Sequence, residues 1–121
     1  MGINLKPYVY KKGENPALDA DFSQAESYGL VKPGRTAVFW RTGLRWHVVS
    51  LDQVQRIFRR VEPVYGKLCC GGNSFIIERL VLILKDGTEL ELYIGDDMDR
   101  QAAALLNSLK TTRPEILYGK P

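Results

Sequence analysis

The sequence has a single histidine, His47, and only two cysteines, Cys69 and Cys70, which are neighbours. One histidine in the middle of a strand-like run cannot carry a Ser-His-Asp arrangement, and no G-x-x-x-x-G-K-[ST] loop is present to cradle a phosphate. An enzyme is not expected. Tetrahedral zinc needs four ligands at characteristic spacing, which one cysteine pair, one histidine and scattered acids do not supply. Adjacent cysteines rarely bridge, because that geometry is strained, so the pair reads as free thiols in a reducing compartment. No cofactor and no metal are expected.

Long apolar runs are also missing. Segments such as Leu80 to Leu84 fall far short of the ~20 residues of a membrane-spanning helix. Met1-Gly2-Ile3-Asn4-Leu5-Lys6 lacks the apolar core and the small-residue cleavage site of a secretory signal. A cytoplasmic location is therefore expected.

What is there fits one globular domain: 121 residues, 45% hydrophobic and 26% charged, enough for one continuous core. The net charge of +3 hides an uneven distribution. Residues 31 to 67 carry eight Lys and Arg against Asp52 and Glu62, whereas residues 68 to 121 carry six against eight acids.

Prolines 7, 16 and 33 and glycines 13, 29 and 34 punctuate residues 1 to 35, which read mainly as connecting chain. A short strand over Pro7-Tyr8-Val9-Tyr10 and a short helix over Ala20 to Tyr28, capped by Asp19 or Asp21 and ended by Gly29, are expected there. From Thr36 the alternation of Val38 and Trp40 with Phe39 and Arg41, a Thr42-Gly43 turn and a second run from Leu44 to Val49 predict a hairpin. Ser50 to Val54 reads as a brief turn. A β-rich run then extends to Tyr65, interrupted or ended by Pro63, and Lys67 to Asn73 reads as a loop.

The clearest stretch is Ser74 to Leu84, a turn over Lys85-Asp86-Gly87-Thr88, and a return strand over Glu89 to Ile94. Asp-Gly between alternating runs predicts a type I′ hairpin, in which both central residues take positive φ. Leu80, Leu82, Leu84, Leu90, Leu92 and Ile94 should face the core, with Glu89, Glu91 and Tyr93 outside. Gly95 ends the strand. Asp96 or Asp97 then caps a helix from about Met98 to Lys110, whose stripe of Met98, Ala102, Leu105 and Leu109 predicts packing over the sheet. The acids Asp96, Asp97 and Asp99 are better read as capping and dipole stabilisation than as a cation site.

This order of short antiparallel strands closed by one C-terminal amphipathic helix resembles the pleckstrin-homology-like fold, in particular its bacterial versions. Three stretches carry the likeness: His47-Val48-Val49-Ser50-Leu51-Asp52-Gln53-Val54, Leu80-Val81-Leu82-Ile83-Leu84-Lys85-Asp86-Gly87, and Met98 to Pro114. The resemblance spans about residues 36 to 113. It implies a mainly β fold with one C-terminal α-helix, a bent, partly open antiparallel barrel capped by that helix. Such a scaffold serves lipid, peptide and oligomer contacts. Residues 1–35 would be an N-terminal extension, 36–113 the domain and 114–121 a tail. Lipid-binding members carry a Lys and Arg set around a long first loop, where this chain has the minimal Thr42-Gly43 turn flanked by Arg41 and Arg45.

Arg56, Arg59 and Arg60, with Arg41 and Arg45, are the candidate binding cations. The competing reading is a solvated strand face balanced by Glu62 and Glu91. Arg56 and Arg59, three apart on a strand, should point to opposite sides, which splits the set. Trp40 is the candidate binding aromatic, since either Trp40 or Phe39 should face outward. The leading expectation is thus a non-catalytic interaction module working through a protein partner or a homo-oligomer. The alternative is a peripheral binder of an anionic membrane surface or a phosphorylated ligand through residues 31–67, and the third is a thiol-based sensor through Cys69 and Cys70. Nucleic acid is not an expected partner.

Overall fold

The computed structural model describes residues 8–65 and 74–120. Its elements are β1 (Val9–Tyr10), α1 (Pro16–Gln24), β2 (Val31–Pro33), β3 (Ala37–Thr42), β4 (Arg45–Ser50), a 3-10 turn (Leu51–Gln53), β5 (Val54–Tyr65), β6 (Ser74–Leu84), β7 (Glu89–Asp96), α2 (Asp99–Thr112) and β8 (Leu117–Tyr118). They form two four-stranded sheets, ordered β1-β4-β3-β2 and β7-β6-β5-β8. The expected loop Lys67 to Asn73, with Cys69 and Cys70, lies wholly outside the described residues.

The main core lies between the sheets. Val38, Trp40 and Val49 of the first sheet and Ile57, Leu80, Leu82, Leu90 and Leu92 of the second join Ala102, Leu105 and Leu109 of α2 in one buried cluster. The six apolar positions expected inward on the β6–β7 hairpin are all buried, and each large aliphatic contributes roughly 1.5–3 kcal/mol. The register confirms the alternation, with Leu80 opposite Leu92 and Leu82 opposite Leu90. No described helix is long and apolar enough to cross a membrane.

The described residues hold two helices, the C-terminal one that the resemblance implies and the short one expected before it. α1 starts earlier than expected, at Pro16, with Asn15 as its cap: the Asn15 side chain accepts from the N–H groups of Ala17 and Leu18. It covers the face of the first sheet turned away from the main core, where Leu18 and Phe22 pack on Tyr10, Ala37 and Phe39. Phe22 stands edge-on to Phe39 and to Trp46, with centroids 5.1 and 4.9 Å apart, and Lys32 Nζ lies 3.8 Å from the Phe22 ring centroid. The first sheet is therefore buried on both faces, so neither Phe39 nor Trp40 faces solvent.

The described part of residues 1–35 supplies β1, α1 and β2, so the expected boundary at residue 36 falls between two paired strands, β2 and β3. Beyond residue 113, Ile116 is buried and β8 pairs in parallel with β5 at Arg56 and Ile57. The Asp86-Gly87 turn also differs from the expected type. Gly87 has φ +93° while Asp86 stays outside the positive region. The Gly87 N–H donates to Leu84 O at 2.9 Å and the Leu84 N–H to Thr88 O at 2.8 Å, a type I turn closed by a glycine bulge.

β5 runs through Pro63, which pairs with Ile76 of β6. Ile57 O accepts from Gly119 N–H on the β8 side. Since N–H and C=O directions alternate along a strand, Arg59, Val61 and Pro63 aim their backbone groups the same way, away from β6. The donor that proline lacks would thus have pointed off the sheet edge, and no ladder bond is lost.

Candidate functional site

The candidate cations do not converge. Arg41 lies opposite Trp46, and Arg45 opposite Thr42, so the two extend from opposite faces of the β3–β4 hairpin. Both are exposed. Arg56 and Arg60 share the outer face of the second sheet and Arg59 the inner one, as the register with Ile83, Arg79 and Leu80 requires.

Three of the five are already engaged. Arg56 Nη1 donates to Gly119 O at 2.9 Å. Arg60 pairs with Glu91 and with Glu89, the latter at 3.2 Å, and lies 5.7 Å from the Phe58 ring centroid. Arg59 reaches inward to the fully buried Glu78, Nε to Oε1 at 2.9 Å, and outward to the exposed Asp99 at the start of α2. Those partners hold its guanidinium pKa above the usual arginine value, the Glu78 hydrogen bond being the largest cause. Arg59 ties α2 to the sheet, because removing one member of a buried ion pair strands the other charge. Trp40 is 2% exposed in the core, stacked on His47.

The acids at the β7–α2 junction have partners as well. Tyr93 O–H donates to Asp96 Oδ1 at 2.5 Å. Asp97, at φ +53°, exchanges bonds with Ile76: its N–H donates to Ile76 O at 2.7 Å and its Oδ1 accepts from Ile76 N–H at 3.0 Å.

Two surface features were not singled out from the sequence. The first is the arm made by the far halves of β5 and β6. Their pairing continues to Tyr65 opposite Ser74, whereas β7 leaves β6 at Ile77 opposite Asp96 and β8 covers β5 only at Arg56 and Ile57. On the inward-turned face of that arm Val61 and Ile76 are 47% and 43% exposed, with Pro63 exposed between them. Their apolar character was visible in the sequence, but only the early end of β7 and the brevity of β8 uncover them.

The second is the β3–β4 tip, where Leu44 is 100% exposed between Arg41 and Arg45. Leu44 also edges a shallow groove lined by Val9, Tyr10, Lys11, Glu14, Arg45 and Trp46. The sequence pattern put Leu44 at the start of a strand, whereas the structure puts it in the turn.

Compared with protein-family models, with curated proteins and with solved structures, the chain finds no match in any of the three.

Proposed function

We propose that this chain is a non-catalytic interaction module of pleckstrin-homology-like shape, acting in the bacterial cytoplasm through a protein partner or self-association. The β-rich architecture, with α2 following β7 and packing on the core, supports the shape. The observation that carries the function is the β5–β6 arm, which presents Val61, Pro63 and Ile76 to solvent beyond the ends of β7 and β8. Half-exposed aliphatic residues grouped on a two-stranded projection suit a contact with another apolar surface. The arm's edge is blunted, since Pro63 withholds a donor there. A partner is therefore taken through the arm's face rather than by adding a strand.

A second reading is favoured by the β3–β4 tip. A fully exposed leucine between Arg41 and Arg45 has the character of an interfacial contact with an anionic membrane. Arg59 and Arg60 are bound to acids, which draws two of the eight cations of the 31–67 stretch away from it. Light scattering over a concentration series, at low and high salt, separates the two. Apolar association persists as ionic strength rises, whereas attraction to an anionic surface weakens over a screening length of about 10 Å at 0.1 M. Mass that rises with concentration and ignores moderate salt supports the first reading. A chain that stays monomeric and sediments with anionic but not neutral vesicles supports the second and removes the first.

A further inference from the structure

We propose that His47 is an acid-sensitive latch on the β1 edge of the first sheet, such that protonation of its ring unseats β1 from β4. The ring sits where the N-terminal edge strand is held. Val9 of β1 lies opposite His47 and Tyr10 opposite Trp46, and these two positions are the whole described pairing of β1.

His47 is 3% exposed. Its ring stacks on Trp40, centroids 5.4 Å apart and planes 26° from parallel, and Trp40 in turn lies 6.5 Å from the Tyr8 ring just before β1. Nε2 is 2.6 Å from Thr42 Oγ1. Nδ1 has no hydrogen-bond partner among the described residues.

The neutral ring fits this site when Nε2–H donates to Thr42 and Nδ1 carries only a lone pair, because a bare acceptor is less costly than a bare donor. The imidazolium has two N–H donors. Its second proton would be buried on Nδ1 with no acceptor among the described residues, beside the indole and the apolar core. Among the described residues no compensating charge faces the ring: β3 offers Trp40 and Thr42, β1 offers Val9 with the Tyr8 phenol before it, and β4 offers Arg45. Burial, then the like charge of Arg45, push the His47 pKa below its ordinary 6.5.

The direction of the effect follows. A histidine whose folded pKa is depressed contributes its full stabilisation above about pH 6.5, and loses it as the pH falls through that value towards the folded pKa. The cheapest relief is local, because β1 is two residues long while the β5–β7 ladders are deeply buried. Acid should therefore open the β1–β4 edge before the rest.

The test is amide exchange resolved by residue, from about pH 7.5 to about pH 5, corrected for intrinsic rates, with the His47 ring titration followed by NMR in the same samples. The amides at the β1–β4 pairing should open more readily below pH 6.5, by up to about tenfold per pH unit. Leu82 and Leu92 should keep their protection. The ring should titrate below 6.5 together with the opening, and His47→Phe, which keeps a ring against Trp40, should remove the pH dependence. Protection of β1 that does not change over this range, an equal loss in His47→Phe, or simultaneous loss at Leu82 and Leu92 would each overturn the latch.

Discussion

The Asp21 carboxylate of α1 occupies the space that a side chain on Gly34 would need. From there it accepts from Arg35 N–H at 2.7 Å, from Thr36 N–H at 3.2 Å and Oγ1 at 3.1 Å, and from Ala37 N–H at 3.1 Å. One acid thus fastens the helix to the bend between β2 and β3, and the bend can approach so closely only because residue 34 has no side chain. Both substitutions should be damaging. Gly34→Ala forces a methyl against Asp21 and within 2.7 Å of Ala37 O, an overpacking cost of about 1–3 kcal/mol. Asp21→Asn should cost about as much as the loss of a charge-assisted bond, ~1.5–3 kcal/mol, since its amide nitrogen must face N–H groups at one end or the other. Urea melts read both, and near-wild-type stability of Asp21→Asn would mean that the carboxylate is not the fastener.

Leu82 and Leu92 lie fully buried on neighbouring strands of the second sheet. Truncation of either to alanine should cost about 2–5 kcal/mol, whereas Glu91→Ala, on the opposite face, should cost well under that. A denaturation midpoint for Leu82→Ala equal to that of Glu91→Ala would mean that the strand faces are reversed.

The two tyrosines at the ends of the chain give an alkaline signature. Burial, followed by the hydrogen bond and charge of Asp19, pushes the Tyr10 phenol up to about 12. Burial, then the Glu115 charge, likewise pushes Tyr118 up to about 12. In the unfolded chain both ionise near 10. The protonated forms therefore stabilise the fold fully below about pH 10, and that contribution is lost as the pH rises from 10 towards 12. Thermal melts across this range should fall steeply, less so in Tyr10→Phe, and a flat profile would contradict the buried setting of both phenols.

These residues also mark what a reader of the sequence could and could not see. Alternation is a local signal, so the β6–β7 hairpin and the α2 stripe were plain in the order of the leucines. Asp19 and Asp21 were read as caps because capping is the local use of an aspartate. Their carboxylates instead serve partners far along the chain, Tyr10 and Gly13 for Asp19 and Arg35 to Ala37 for Asp21, and that displaced the expected start of α1 by several residues. Trp40 and Phe39 were assigned opposite faces correctly. That both faces are covered depends on α1 crossing the sheet, which no window around residue 40 contains. The candidate arginines were legible as cations, but the acids that hold Arg59 and Arg60 arrive through strand pairing and α2, from 19 to 40 residues away.

The contact face on the β5–β6 arm is tested most directly by sedimentation velocity on the wild type and on Val61→Asp/Ile76→Asp, over a concentration series at moderate salt. Both positions are about half exposed, so the double variant should fold and melt close to the wild type. The account predicts concentration-dependent association of the wild type that the double variant loses. Association of equal strength in the two proteins, with their melting points unchanged, would contradict it.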